Sequence, residues 1–364
     1  MELKREDPEE AKELLERIKG LLKGPVRFME VCGTHTVSIF RSGIKAMLPP
    51  QIDLISGPGC PVCVTPPEEI KRAMELALNG DVALVTFGDL MKVPVGGKSL
   101  EHLKAEGADV RVVLSPLDAL QIALREPKKR VVFFAVGFET TAPAVAATVL
   151  EAKRQAVKNF FVLSAQRLIP PAIRALLEGG KVLLDGFILP GHVSVIIGKE
   201  PYGFIAREFR LPAVITGFEP LDVLESIWML LEQRRRGLSQ VLIQYRRAVR
   251  PEGNLRACSL VEEVFCAVDA RWRGLGVIPQ SGLKLRKGFS LWDAERAFGL
   301  LPPEPIPEPA GCSCGEVLQG LKKPPQCKLF GKVCTPSSPI GPCMVSSEGS
   351  CAAYYKYGGK DGQG

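Results

Sequence analysis

The chain has 364 residues, 46% hydrophobic and 24% charged, with a net charge of +7, three Trp and five Tyr. The length predicts two or three domains of an ordinary globular protein. Interleaved acidic and basic residues and few stacking aromatics weigh against nucleic-acid binding, and the run Arg234-Arg235-Arg236 reads as a solvated helix end. Apolar runs such as Val131 to Val136 are too short to span a bilayer, and the charged N-terminus has no secretory pattern, so a cytoplasmic location and no membrane partner are expected.

Residues 9–23 place Leu14, Leu15, Ile18, Leu21 and Leu22 on one stripe, the pattern of an amphipathic helix. Buried strands are expected at Val26–Val31, Ile52–Ser56, Val82–Phe87 and Val110–Leu114, with helices near 36–47, 67–79, 99–106 and 117–125. This alternation implies parallel-sheet βαβ units. A polar joint, Glu126 to Arg130, separates them from a second set of strands at Val131–Val136, Phe160–Leu163, Gly186–Leu189 and Ala213–Thr216. Helices near 141–157, 170–178 and 201–209 lie between these, and a long helix at 220–236 follows. The segment to about 300 is less regular, and the alternating prolines from Pro302 to Pro309 form a stiff linker. The expected fold is α/β: two open parallel-sheet domains, 1–126 and 127–240, facing a cleft, and a C-terminal iron–sulfur region, 241–364.

Several candidate residues fall at strand ends, where open α/β sheets place ligands. Cys32-Gly33-Thr34-His35-Thr36 follows the first strand and opens a helix, with Thr34 or Thr36 as its expected cap. A helix N-terminus lowers a thiol pKa, which makes Cys32 a candidate ligand or nucleophile with His35 beside it. Cys60 and Cys63 form a C-x-x-C between strand and helix, the arrangement of redox dithiols. Glu139 in Gly137–Thr141 and His192 in Pro190–Ser194 end later strands. Gly97-Lys98-Ser99 lacks the first glycine of a phosphate loop, Cys258 and Cys266 read as core cysteines on a helical stretch, and His102 reads as surface.

Six of the eleven cysteines lie in the last fifty-three residues: Cys312, Cys314, Cys327, Cys334, Cys343 and Cys351. Four thiolates hold an iron–sulfur cluster, and two more beside it imply thiol redox chemistry. The Gly- and Pro-rich tail has too few apolar runs to fold around a core of its own.

Phe28–Thr36 (FMEVCGTHT), Gly57–Cys63 (GPGCPVC), Gly137–Ala144 (GFETTAPA), Leu189–Ser194 (LPGHVS) and Gly341–Tyr357 together resemble the HypD family of nickel–iron hydrogenase maturation proteins, over nearly the whole chain. The resemblance implies assembly of the Fe(CN)2CO unit with HypC-like and HypE-like partners. It also implies iron at Cys32, a redox pair at Cys60 and Cys63, and a [4Fe-4S] cluster in the tail. The expected ligands are Cys314, Cys327, Cys334 and Cys351, with Cys312 and Cys343 as the extra thiols. A cluster-dependent thiol/disulfide reductase is the alternative; it uses the tail and Cys60/Cys63 but leaves Cys32, His35 and the second-half motifs unexplained.

Overall fold

The β-branched and aromatic runs expected to pair do so. The computed structural model describes residues 8–358 and contains β1 (Val26–Glu30), β2 (Ile52–Ser56), β3 (Val82–Thr86), β4 (Val110–Val112), β5 (Arg130–Gly137), β6 (Phe160–Arg167), β7 (Gly186–Pro190), β8 (Ala213–Thr216), β9 (Val241–Ile243), β10 (Phe265–Trp272) and β11 (Gly276–Leu285). They form a five-stranded sheet, β2-β1-β7-β8-β9, and a six-stranded sheet, β10-β11-β6-β5-β3-β4. The first is parallel throughout. The second is mixed, a correction to the all-parallel expectation. Its β3 to β6 run parallel, whereas β11 pairs antiparallel with β6, and β10 with β11. The hairpin was hidden in the irregular 241–300 segment because β10 and β11 are half-exposed and weakly alternating. It also places Cys266 on a strand, while Cys258 stays on the helix Leu255–Val264.

Strand membership does not follow the expected division at 126/127. The chain leaves the first sheet after β2, builds β3 to β6 in the second, and returns for β7 to β9. The physical reason lies in the apolar faces. Along β1, Phe28 packs outward against Leu14, Ile18 and the helix Pro220–Arg235, while Met29 turns inward. Along β5, Val131, Phe133 and Ala135 face the outer helices, while Val132, Phe134 and Val136 face inward. The inward faces of both sheets belong to one continuous apolar cluster, joined by Ile70 and Ala73 of Pro67–Ala77 and by Ala172 and Ile173 of Ile169–Gly179. Those two helices are the crossovers between sheets, so the carboxyl ends of β1, β2, β7 and β8 collect the Cys32, Cys60, His192 and Phe218 turns.

The tail docks on this frame. Gly274, at φ +77° in the β10–β11 turn, lies so close to Gly315 that a side chain on either would overlap the other backbone. Asp89, after β3, accepts from the Ser347 amide (3.0 Å), the Ser347 hydroxyl (2.9 Å) and the Ser346 hydroxyl (3.2 Å). Phe40 packs on Tyr354 with ring centres 4.2 Å apart.

Candidate functional site

Cys32, in place of Thr34 or Thr36, occupies the N-cap position of the helix Gly33–Arg41, without a side-chain capping hydrogen bond. The Thr34 hydroxyl instead donates to Glu348 of the tail (2.7 Å), and the Thr36 hydroxyl donates to Glu30. The Cys32 amide also donates to Glu30, at 3.1 Å. Glu30 is buried at the end of β1, and burial pushes its carboxyl up to about 8 despite those donors. Cys32 departs from expectation. Burial, and then the charge of Glu348, push its thiol up to about 12, outweighing any lowering at the helix end. In this apolar setting the thiol stays protonated until something replaces the proton.

The Cys60 turn lies directly on the Cys32 turn. The Gly33 amide donates to the Gly59 carbonyl (2.9 Å), and Gly59 approaches the Val31–Cys32 peptide so closely that a Cβ would overlap it. Cys60 and Cys63 are joined by a disulfide and are both buried. Cys60 caps the short helix Pro61–Val64 by accepting from the Cys63 amide (3.2 Å). That helix packs against both tail helices, Cys314–Leu318 and Pro342–Val345.

The tail sulfurs pair differently from expectation. Cys314 and Cys343 are buried with their sulfurs 2.8 Å apart, so the close pair is 314/343 and not 312/343. Sequence spacing could not decide this, because the two thiols meet only when two short helices pack together. Cys327 and Cys334 share a small apolar cluster with Phe330, Met344 and Tyr354, against which Cys351 packs. Burial, and then the neighbouring sulfurs of Cys314, Cys327 and Cys334, push Cys312 up to about 12. The hydrogen bond to Cys343, and then burial, raise the Cys314 thiol well above the ordinary thiol range. The guanidinium of buried Arg273, which also donates to the Thr65 carbonyl (3.1 Å), lies near Cys314 and Cys343 and offsets only part of this.

His35 is fully buried. Its Nε2 lies 2.9 Å from the Gly217 carbonyl and 3.2 Å from that of Thr216, and its ring stacks on Phe218 at 4.7 Å. Exposed His192 stacks on Phe218 at 3.9 Å, so one phenyl ring spans both histidines. Burial draws His35 down to about 4 and also lowers His192, which leaves His35 neutral at pH 7. Phe218 was not singled out by sequence, although Gly217-Phe218-Glu219 repeats the letters of Gly137-Phe138-Glu139. Glu30, Glu348, Asp89 and Arg273 were likewise missed, since single charged residues carry no spacing signal.

Glu139 stands apart. Its Oε1 accepts from the Ile169 amide (2.9 Å), its Oε2 is buried without a partner, and burial pushes it up to about 7. It lines a separate groove of about 450 Å³ with Ile196, Cys258 and Cys266. Buried Tyr202 senses both Glu139 and Cys32; burial, then Glu139, raise its hydroxyl well above the ordinary range. A cleft of about 310 Å³ opens between Pro61, Val62, Asp89, Phe138, Thr140 and Glu348, walled in part by the tail; Cys32, Glu139 and His192 do not line it. Among the described residues no helix is long and apolar enough to cross a membrane.

Fold and site together define a class: an α/β protein with Cys32 and the Cys60–Cys63 disulfide at neighbouring strand ends and, packed on the helix Pro61–Val64, the tail helices that bear Cys314 and Cys343. The HypD family model, described as hydrogenase formation hypA family, matches residues 9–358. The hydrogenase maturation factor HypD of Cupriavidus necator is 48% identical over 360 residues, covering 95% of each chain. That of Escherichia coli is 45% identical over 358 residues, covering 96% of each. A putative hydrogenase expression/formation protein of Methanocaldococcus jannaschii is 45% identical over 337 residues, covering 91% of this chain and 92% of its own. The chain belongs to the HypD family of hydrogenase maturation factors.

Proposed function

We propose that this cytoplasmic chain is the scaffold and redox partner on which the Fe(CN)2CO unit of a nickel–iron hydrogenase is assembled, with HypC-like and HypE-like proteins as partners. The observation that carries the reading is the line of sulfurs. The Cys32 turn rests on the Cys60–Cys63 disulfide, whose helix packs on the helices bearing Cys314 and Cys343.

In this reading Cys32 holds the iron cargo. A soft thiolate donor suits iron carrying cyanide and CO, and bound iron takes the place of the proton that burial keeps on Cys32. The family also implies a resident [4Fe-4S] cluster. Among the described residues no three His, Cys, Asp or Glu side chains stand together as ligands of a single metal ion. A cubane cluster, by contrast, keeps its thiolates apart by its own width. With Cys314 and Cys343 paired, the four thiols that remain in the tail pocket are Cys312, Cys327, Cys334 and Cys351. We assign these as the ligands, a fit by donor chemistry. When bound, the cluster supplies single electrons. Opening Cys60–Cys63 takes two electrons and two protons, and Cys314 and Cys343 are the thiols beside it that can give both while closing into a disulfide of their own. The cleft against Pro61 and Val62 gives a small ligand or a partner's loop access to that dithiol.

Infrared spectroscopy of the chain co-expressed with its neighbouring maturation proteins tests the reading. Cys32→Ala is expected to lose the cyanide and CO bands while keeping the tail cluster. Retained bands exclude Cys32 as the iron ligand. Turnover of a protein disulfide without any iron-bound cyanide favours the thiol reductase instead.

A further inference from the structure

The Thr216–Phe218 turn is held in place by a buried polar relay that the reading above does not use. The Gly217 amide donates to Gln244 Oε1 at 3.0 Å. Gln244 Nε2 donates to Asp222 Oδ1 (2.8 Å) and Glu225 Oε2 (2.9 Å). Arg247 grips both oxygens of Asp222, at 2.7 and 2.5 Å. Two carboxylates on one side and an N–H on the other fix the orientation of the Gln244 amide, since a flipped group would oppose donor to donor and oxygen to oxygen. Gly217 permits the approach, because a side chain there would overlap Asp222 and press on Tyr245. The turn thus presents two carbonyls, of Thr216 and Gly217, to the same nitrogen of His35. Carbonyls only accept, so Nε2 carries the ring hydrogen. Nδ1 is left as a lone pair, buried and without a partner. It sits one helical turn from Cys32, whose sulfur lies against the His35 backbone amide. A histidine that ligates a metal through one nitrogen typically donates its other N–H to a carbonyl or carboxylate, which is the pattern here.

We propose that Gln244, backed by Asp222 and Arg247, is a positioning residue that locks His35 as the Nε2–H tautomer, so that His35 Nδ1 serves as a second protein donor to the iron at Cys32. This deepens the reading of Cys32 as the iron ligand and rests on it. No proton is displaced from the imidazole when iron binds, and the ring is held against rotation by Phe218.

The test has two arms, both on the full chain. In the first, histidine-selective ¹⁵N labelling of metal-free protein gives three ring systems, His35, His102 and His192, assigned by single variants. Wild-type His35 is expected to show a protonated Nε2 and a pyridine-type Nδ1. Gln244→Leu is expected to convert it to a rapidly averaging mixture of tautomers. A protonated Nδ1 in wild type, or an unchanged tautomer in Gln244→Leu, overturns the proposal. Should that variant fail to fold, Arg247→Gln, at the half-exposed end of the relay, is read in the same way. In the second arm, His35→Ala and Gln244→Leu are expected to shift the cyanide and CO bands of the co-expressed chain. Bands lost in Cys32→Ala but unmoved in His35→Ala overturn the donor role and leave the Cys32 reading standing. Bands retained in Cys32→Ala overturn that reading and the donor role with it.

Discussion

Gly59 shows how one missing side chain sets the site. A Cβ there would overlap the Cys32 amide nitrogen and the Val31 carbonyl carbon, and backbone atoms cannot rotate aside. Gly59→Ala is therefore expected to cost at least about 1–3 kcal/mol, as overpacking does, and to separate the Cys32 turn from the disulfide. Gly20 in the helix Pro8–Leu21 meets nothing within 4 Å. Gly20→Ala is expected to be neutral or to stabilise by up to about 1 kcal/mol. Urea midpoints compare the two, and equal losses would refute the close-approach argument. Glu139 supports a pH prediction. Its carboxyl rises from an ordinary 4.5 to about 7 on folding, so the native state binds the extra proton between those values. Its contribution is complete below pH 4.5 and is lost as pH climbs through 7, a fall of about 3 kcal/mol at 1.36 kcal/mol per unit. His35 acts in the opposite sense, since its lowered pKa makes stability rise between about 4 and 6.5. The wild-type stability curve should therefore fall relative to that of Glu139→Gln as pH rises across 4.5 to 7; parallel curves would show that Glu139 does not hold a proton in the fold.

At the scale of elements, the short helices Pro61–Val64, Cys314–Leu318 and Pro342–Val345 decide which sulfurs meet. None is long enough to persist alone, so each depends on packing against the others. The sulfur contact of 2.8 Å between Cys314 and Cys343 yields a sharp expectation for anaerobically purified protein. Cys314→Ala and Cys343→Ala should keep about four irons per chain, and Cys312→Ala should lose them. Iron retained in Cys312→Ala, together with its loss in Cys314→Ala, would return the assignment to the order first expected from sequence. The loop after β3 matters to the same elements. Asp89→Ala removes three acceptor contacts to Ser346 and Ser347 and should leave the tail open to limited proteolysis at concentrations that spare the wild type. Equal protection in the two proteins would show that the tail is anchored elsewhere.

For the whole molecule, the order in which strands join their sheets forbids a simple cut. In a 1–126 fragment β1 keeps β2 but lacks β7, and β3 keeps β4 but lacks β5, so each sheet would be cut to a two-stranded remnant with a normally interior strand edge left open. We expect that fragment to remain unfolded or to aggregate, and the full chain to unfold in one cooperative transition by circular dichroism. A folded, soluble 1–126 fragment would restore the consecutive division. The sequence by itself determined the strands from β1 to β8, the parallel character of the first sheet, the turns carrying Cys32, Cys60, Cys63, Glu139 and His192, and the presence of surplus thiols in the tail. Those features are local: hydrophobic periodicity, turn chemistry and residue spacing act over a few neighbours. Tertiary structure alone decided that the two sheets interleave, that β10 and β11 extend one of them, that Cys314 pairs with Cys343, that Phe218 joins His35 to His192, and that burial raises the Cys32 thiol where a helix end alone would lower it. Each of these depends on groups far apart in the chain meeting in a space from which water is excluded, and neither the meeting nor the loss of solvent is written in local order.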